Sequence, residues 1–277
     1  MTSKPATIPQ YVEWLKRDHH IDVRSVTKTY FESVSQKLGM DFETSDLWRR
    51  LMVEWRNYDE EYLILTGYHL FRSLDPPPID RKPHTSFLLK TFRKNVLENT
   101  NWPSEPSGGW FLPGNWFSRV GDVVRTRFAV RYLDGVEYFV KKLDALAQAS
   151  GMGYEVSYEA REEGYYAAHI DLSHESEVPR IDWDTERIGA RVEIQITTQL
   201  QEIIQRLLHG HYERRRERTD TAGGSMWQWN YKSDEFATNY LGHILHYVEG
   251  MIMEIRERQS VGRATGHTTH PTRADIS

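Results

Sequence analysis

The spacing of apolar residues changes partway along the chain, and this change constrains the fold more than any other feature of the sequence. In the first third, apolar side chains recur every three or four residues, which is the spacing of one helix face. They are Ile8, Tyr11, Val12 and Leu15, then Val23, Val26, Tyr30 and Val34, then Trp48, Leu51, Trp55, Tyr58, Tyr62 and Leu65. Between Val124 and Val130, apolar residues instead alternate with arginines, which is the spacing of a strand. The chain therefore has to combine helices with a sheet.

Turn and capping residues delimit the predicted helices of the first third. Gly39 would end the second helix, and Thr44, Ser45 or Asp46 would cap the third by accepting amide hydrogen bonds of its first turn. The prolines at 76–78 end the third helix, because proline lacks the amide hydrogen and clashes with the preceding turn.

Strands and helices interleave in the rest of the chain. The predicted elements are a helix from Pro83 to about Asn95, a loop over Asn101–Trp116, a strand over Val124–Val130, a helix over Asp134–Ala149, strands over Ala167–Leu172 and Arg191–Ile196, and helices over Gln199–Arg218 and Asp234–Arg258. This interleaving indicates an α/β (α+β) fold with one mixed β-sheet flanked by helices.

The same pattern divides the chain into four segments. Residues 1–75 form a helical N-terminal segment packed on the core, 76–218 the core, 219–259 a C-terminal helical segment, and 260–277 a polar tail that we expect to be disordered. With 39% hydrophobic residues, among them nine Trp and fifteen Tyr, the chain can bury a large core.

The chain of 277 residues contains no cysteine, which excludes disulfides, zinc ribbons, iron–sulfur clusters and a thiol nucleophile. No stretch approaches the roughly 20 apolar residues that span a bilayer, and we expect a cytoplasmic location. The formal net charge of −5 would by itself disfavour partners that carry phosphate.

One segment of the chain has a local charge opposite in sign to the net charge of the whole chain. Residues 81–94 carry five Lys and Arg side chains and no acidic residue. On a helix, Lys82, Ser86 and Lys90 lie on one face, where ammonium groups, a hydroxyl and the helix N-terminus suit phosphate oxygens. A solvated basic helix face is the plainer explanation of the same residues.

Arginines also line the first predicted strand. Arg125, Arg127 and Arg131 share one face, and Asp122 lies at the mouth of the strand. A buried unpaired charge is costly, so this face indicates either a ligand for the arginines or an edge strand whose arginine face is wet. Both explanations stay open at this point.

The later strands add residues suited to acid–base chemistry. In GYYAAHIDL, Tyr165 and His169 share a strand face, where the tyrosine either stacks on a base or packs. In VEIQITT, Glu193 and Gln195 occupy the polar face of the other strand. A carboxylate there can accept a proton or hold Mg²⁺, and Glu193 with Asp122 would suffice, because magnesium binds through one or two carboxylates plus substrate phosphates.

The sequence carries four motifs that together resemble those of a known family: RKPHTSFLLKTFRKN, GDVVRTRF, GYYAAHI and VEIQITTQLQ, in this order. They resemble the RelA/SpoT-type nucleotide pyrophosphokinases, in particular the short, single-domain alarmone synthetases, over about residues 81–214. The resemblance implies a nucleotidyltransferase-like synthetase domain. It also implies transfer of the β,γ-pyrophosphate of ATP to a ribose 3′-hydroxyl, usually of GDP or GTP, giving ppGpp or pppGpp.

The resemblance further implies roles for particular residues. On the donor side, it implies that the ATP phosphates are bound by Lys82, Ser86 and Lys90, that magnesium is bound by Asp122, and that the adenine stacks on Arg127. On the acceptor side, it implies that the acceptor base stacks on Tyr165 and that both the metal and the acceptor hydroxyl are bound by Glu193. It gives supporting roles to His169 and Gln195. Arg81 and Arg125 complete the predicted ATP-binding set. The implied catalytic and metal-binding residues are Asp122 and Glu193, and the implied cofactor is Mg²⁺.

Some positions depart from the family pattern. Asp80 stands where arginine is common, Arg125 replaces a glycine, Thr197 replaces the arginine of EIQIRT, and Arg161, Glu162 and Glu163 replace a Pro-Lys pair. A second hypothesis is therefore a toxin that modifies the tRNA 3′ end or an adenosine nucleotide, with an antitoxin protein as partner. A third is a non-catalytic nucleotide-binding regulator, which the presence of both carboxylates argues against.

Further residues bear on partners and on metal binding. The arginines 214–216 and 218 form a basic helix end that would meet a tRNA backbone or is a solvated last turn. Residues 18–20 are too isolated to supply the metal-binding His-Asp domain of an alarmone hydrolase. The histidines at 209, 211, 243 and 246 are interpreted as structural or surface residues rather than metal ligands. Long terminal helices would permit a homo-oligomer.

Overall fold

The computed structural model describes residues 3–24, 26–180, 184–207 and 227–265 of the chain. It begins with three helices, α1 (Ile8–His19), α2 (Val26–Glu43) and α3 (Asp46–Thr66). Ser45 caps α3 by accepting a hydrogen bond of 3.2 Å from the amide of Trp48, as predicted. Two boundaries were predicted wrongly: α2 runs through Gly39, and α3 ends at Gly67, before the prolines.

Within the described ranges the sheet has five strands, two more than the sequence predicted. They are β1 (Ile79–Arg81), β2 (Val124–Val130), β3 (Gly153–Ala160), β4 (Tyr166–Pro179) and β5 (Thr185–Thr198). Their order is β1-β2-β5-β4-β3. Strands β2 and β5 run parallel and the other pairs antiparallel, which confirms the α+β class and the mixed sheet.

The remaining helices alternate with these strands. They are α4 (His84–Phe92), continued by a π-helical turn (Arg93–Leu97), α5 (Trp116–Arg119), α6 (Leu133–Ala149), α7 (residues 199–207) and α8 (Asp234–Thr265), with single 3₁₀ turns at Pro113–Asn115 and Trp227–Trp229. The last helix extends past residue 260, where the sequence predicted a disordered tail to begin. The rest of that tail and the predicted helix over 208–218 lie outside the described residues.

The two faces of the sheet differ in chemistry. The apolar face holds buried side chains such as Phe128, Ile170 and Ile194, and helices α2, α3 and α6 pack on it. The ring of Phe128 lies 5.0 Å from both Trp55 of α3 and Phe139 of α6, centroid to centroid. Burial of this face is the main stabilising contribution and leaves the opposite face free for polar residues.

None of the helices in the described ranges combines the length and the apolarity that a membrane-spanning helix needs.

Candidate functional site

Polar side chains form two rows across the face of the sheet that these helices leave uncovered. Residues opposite one another on paired strands point to the same face. The first row consists of Asp80, Arg125, Glu193, Asp171 and Glu155 on β1, β2, β5, β4 and β3. The second row consists of Arg127, Gln195, His169 and Ser157 on β2, β5, β4 and β3. Strand pairing therefore brings together predicted residues that are far apart in sequence.

Three charged residues form a compact group at the start of β2, which we call the lysine–aspartate cluster: Lys82, Lys90 and Asp122. The Nζ atom of Lys82 donates to Oδ2 of Asp122 at 2.6 Å, and the Nζ atom of Lys90 donates to Oδ1 at 2.8 Å. The side chains of Lys82 and Asp122 are only 11% and 18% exposed. One carboxylate thus holds two lysines, and the cluster keeps an excess of positive charge.

Electrostatics keep Asp122 ionised. Burial alone would raise the pKa of its carboxyl, but the charges and hydrogen bonds of Lys82 and Lys90 lower it to about 2. Burial lowers the pKa of Lys82, and the positive charges of Lys90 and Arg125 add to that effect, against the opposing attraction of Asp122. An added anion would therefore be attracted to this cluster.

A continuous series of hydrogen bonds occupies the middle of the polar face, and we call its members the Tyr165–Arg127 chain. The hydroxyl of Tyr165 lies 2.8 Å from Nε2 of His169, and Nδ1 of the same ring lies 2.8 Å from Oε1 of Glu193. The amide of Gln195 donates to Oε2 of Glu193 at 2.7 Å and accepts from Nη2 of Arg127 at 2.9 Å. Both oxygens of Glu193 are thereby oriented.

The state of the protons follows from the partners. Burial would raise the pKa of Glu193, but its hydrogen bonds to His169 and Gln195 and the charge of His169 lower it, so the carboxylate is ionised. An ionised carboxylate only accepts, and Nδ1 of His169 therefore donates to it. The pKa of Tyr165 is raised to about 12, mainly by burial, so its hydroxyl keeps its proton beside Nε2 of His169.

The two groups are neighbours. The negative charge of Asp122 acts on Glu193 and opposes the lowering of its pKa. Asp171 lies opposite Glu193 on β4, and its pKa is raised by burial and by the charge of Glu193. A Cβ on Gly121, the residue before Asp122, would approach Oδ1 of Asp171 to 3.0 Å, so the Asp122 loop packs directly against β4.

Two predicted ATP-binding residues stand apart from these groups. Arg81 lies opposite Val124, on the face that the helices cover, and a Cβ on Gly39 of α2 would lie 3.7 Å from its Cδ. The structure therefore does not bring Arg81 to the polar face. Ser86 is exposed on α4, one turn before Lys90.

Three further residues belong to the polar face, although their part in it was not predicted from the sequence. Asp171 continues the alternation that starts at Tyr165, so the period of two could have found it. The guanidinium of Arg161 lies 4.9 Å from the centre of the Tyr165 ring and pairs with Glu159. Only the turn between β3 and β4 brings these side chains together.

A divalent cation fits this donor set in its chemistry. Within the described residues, no three His, Asp or Glu side chains group closely enough to hold a metal ion by themselves. Asp122 and Glu193 nevertheless offer two ionised, neighbouring carboxylates. Magnesium takes one or two protein carboxylates together with phosphate oxygens of its substrate, so this pair suits an ion that arrives with a nucleotide.

Of the other residues considered from the sequence, Arg131 donates from Nε to the carbonyl of Phe71 at 2.9 Å. The rings of His243 and His246 pack against Tyr166, as expected for structural residues. His209, His211 and the arginines 214–216 and 218 lie outside the described residues.

Fold and site together define an α+β protein with a charged sheet face that pairs lysines and arginines with ionised carboxylates. No family model and no curated protein matches the sequence. Among solved structures, the chain is similar to a GTP pyrophosphokinase family protein from Streptococcus pneumoniae, with 18% identity, 85% of this chain and 97% of that chain covered and a TM-score of 0.48. It is also similar to the small alarmone synthetase 1 from Bacillus subtilis, with 15% identity, coverages of 78% and 99% and a TM-score of 0.47. For the same synthetase bound to its product pppGpp, the identity is 18%, the coverages 77% and 98% and the TM-score 0.44.

Proposed function

We propose that the chain is a pyrophosphokinase that transfers the β,γ-pyrophosphate of ATP to the ribose 3′-hydroxyl of GDP or GTP. One observation carries the proposal: the lysine–aspartate cluster and the oriented carboxylate of Glu193 are neighbours on one uncovered sheet face. Cations suited to a polyphosphate therefore lie beside a carboxylate suited to a hydroxyl group. The resemblance of the four sequence motifs supports the same reaction.

The donor half would work by an exchange of ionic partners. Lys82 and Lys90 donate to Asp122 in the structure, and triphosphate oxygens would replace that carboxylate as their acceptors. Arg125 and Arg127, on the same face, would add charge and a flat guanidinium for the adenine. The lysines are already placed by Asp122, so binding would need only a local rearrangement.

Magnesium would be held by Asp122 and Glu193 together with the phosphates of ATP. Once bound, it would neutralise charge that develops on the transferred group and on the leaving phosphate. Asp122 becomes available for this role when the triphosphate takes over its two lysines. Until that exchange, the two lysines hold its pKa at about 2 and the carboxylate stays ionised.

The acceptor half would use the Tyr165–Arg127 chain. The nucleobase would stack on Tyr165, and Glu193 would accept a hydrogen bond from the ribose 3′-hydroxyl. That oxygen attacks the β-phosphorus of ATP, its proton passes to Glu193, and the bond between the β-phosphorus and the α,β-bridging oxygen breaks. AMP leaves with the bonding electron pair. Positioning and electrostatics supply most of the rate in such transfers.

The test is to incubate the purified chain with Mg²⁺ and γ-labelled ATP and to offer GDP, GTP, ATP and bulk tRNA separately. We expect label in a guanosine nucleotide and release of one AMP for each labelled product. Release of ADP would indicate transfer of a single phosphoryl group and overturn the proposal. Label in tRNA or in an adenosine nucleotide would support the toxin hypothesis instead, and ATP binding without any product would support the regulator.

A further inference from the structure

The last described helix contacts the site through one face. Along α8, the spacing of a helix stripe is followed by Asn239, Gly242, His243 and His246. The first three meet the turn 161–165, which joins β3 to β4, and His246 packs on Tyr166 at the start of β4. That turn carries Tyr165, on which the acceptor base is proposed to stack. The contacts of α8 therefore reach the acceptor half of the site.

Two glycines allow this close approach. A Cβ on Gly164 would lie 2.5 Å from the carbonyl oxygen of Asn239, and a Cβ on Gly242 would lie 2.3 Å from the carbonyl oxygen of Gly164. Real Cβ atoms do not approach backbone so closely, so backbone packs directly on backbone here. Gly164 also has a φ of +75°, which glycine adopts without strain.

His243 fixes the turn from both sides. Its Nε2 lies 2.8 Å from the carbonyl oxygen of Glu162, which can only accept, so this nitrogen carries the proton. In the neutral ring, Nδ1 then accepts from the hydroxyl of Tyr166 at 2.8 Å. The ring of His246 stacks on Tyr166 with centroids 3.7 Å apart and planes 7° apart. Residues on both sides of Tyr165 are thus bound to α8.

The turn itself is closed by its own backbone. The amide of Gly164 donates to the carbonyl of Arg161 at 2.9 Å, and the amide of Arg161 donates to the carbonyl of Tyr165 at 3.0 Å. A turn closed in this way moves as a unit. A shift of α8 would therefore be passed to the ring of Tyr165 and to the hydrogen bond between Tyr165 and His169.

We infer that α8 positions the acceptor half of the site, with His243 as the positioning residue. The inference rests on the proposed function for its readout in catalysis. It gives a helix outside the resemblance region, which ends near residue 214, an indirect part in acceptor binding, through the turn that carries Tyr165. The three residues of the lysine–aspartate cluster belong to other elements: Lys82 follows β1, Lys90 is on α4 and Asp122 is in the loop before β2.

The test compares four substitutions on α8 and the hairpin. His243→Ala removes both hydrogen bonds of the ring, while His243→Gln retains one donor and one acceptor of similar reach. Tyr166→Phe removes only the hydroxyl that donates to Nδ1. Tyr247→Ala is the matched control, because Tyr247 is on the same helix but 71% exposed.

For His243→Ala we expect the KM for the acceptor to rise about tenfold, as for the loss of one well-formed hydrogen bond, with the KM for ATP within about twofold. His243→Gln should recover most of that loss, Tyr166→Phe should show a smaller rise, and Tyr247→Ala should match the parent. Equal rises in both KM values, or no recovery by glutamine, would mean a purely structural role and overturn the inference.

Hydrogen exchange separates this inference from the proposed function. Amides 161–166 should exchange faster in His243→Ala than in the parent, while amides of α4 should not change. Unchanged exchange in the turn overturns the inference, whether or not the protein transfers pyrophosphate. Faster exchange in the turn, together with a parent protein that labels no acceptor and binds no guanosine nucleotide, overturns the proposed function and with it the part of His243 in acceptor binding.

Discussion

The lysine–aspartate cluster and the Tyr165–Arg127 chain both keep a buried carboxylate ionised, but by different means. Asp122 is held by two full positive charges, whereas Glu193 is held by hydrogen bonds from His169 and Gln195. Charges attract any anion and can exchange partners, while hydrogen bonds depend on direction. The lysine–aspartate cluster therefore suits the capture of a polyphosphate, and the Tyr165–Arg127 chain suits the placement of one hydroxyl group in a fixed direction.

The largest effect is expected for Glu193→Gln. The amide keeps the size of the side chain but can accept only one of its two hydrogen bonds, from His169 or from Gln195, and it cannot take a proton, so turnover should fall about a thousandfold or more. Binding of a non-hydrolysable ATP analogue measured without Mg²⁺ should stay within about twofold. Labelled pyrophosphate transfer and calorimetric binding measure the two effects.

The matched control for Glu193→Gln is Glu155→Gln, in the same row but exposed on the edge strand β3. It should transfer pyrophosphate like the parent. If Glu193→Gln retains the parental rate, the assignment of the acceptor base to the Tyr165–Arg127 chain is wrong.

Asp122→Asn should separate anion binding from turnover. The substitution leaves Lys82 and Lys90 without their carboxylate, so an ATP analogue should bind several-fold more tightly without metal, while Mg²⁺-dependent transfer should fall about a hundredfold. Calorimetric titrations with and without Mg²⁺ measure the first effect, and label transfer measures the second. Asp80→Asn, a neighbouring acidic residue on β1, is the control. Weaker binding without metal would contradict the proposed exchange of partners.

The free energy of unfolding at low pH should show that Asp122 is held by ionic contacts. The pKa of Asp122 is about 2 in the folded chain and near 3.8 in an unfolded one, so ionisation stabilises the fold above pH 4. That contribution, on the order of 2 kcal/mol, should disappear as the pH falls from about 4 to 2. Urea unfolding of the parent and of Asp122→Asn at several pH values measures it. A difference between the two proteins that stays constant over this range would contradict the ionic description of the cluster.

The sequence predicted the class of fold because each of the three strands recognised alternates sharply between an apolar and a charged face. Strand β1 is too short to show a period. Strand β3 has the alternation, with Tyr154, Val156 and Tyr158 on one side, but it is an edge strand whose apolar side chains are partly exposed. Its apolar residues are therefore less distinctive than those of the buried strands.

Alternation is a local property of a strand, and it suffices to predict that Arg125 shares a face with Arg127 and Glu193 with Gln195. Which residues lie opposite one another is set by pairing between distant segments, which no local pattern encodes. Asp171 and Glu193 are neighbours only because of the register in which β4 pairs with β5. The contact of the Arg161 guanidinium with the Tyr165 ring depends on the geometry of the turn between β3 and β4. The contacts of His243 depend on how α8 packs against that turn.

The smallest effect concerns Arg161, which lies over the ring that the acceptor base is proposed to use. A guanidinium centred 4.9 Å from the Tyr165 ring leaves no room for a base on that face, so Arg161 has to move aside first. Arg161→Ala should therefore lower the acceptor KM about two- to fivefold, the range of an exposed cation–π contact, and leave the KM for ATP unchanged.

Arg161→Lys sharpens the same comparison, because lysine keeps the charge and can still pair with Glu159 but covers the ring less completely. Its acceptor KM should fall between those of the parent and the alanine variant. A higher acceptor KM in Arg161→Ala would mean that the guanidinium grips the incoming nucleotide instead of covering Tyr165. The acceptor half would then bind its ligand through charge, and the contrast with the lysine–aspartate cluster would disappear.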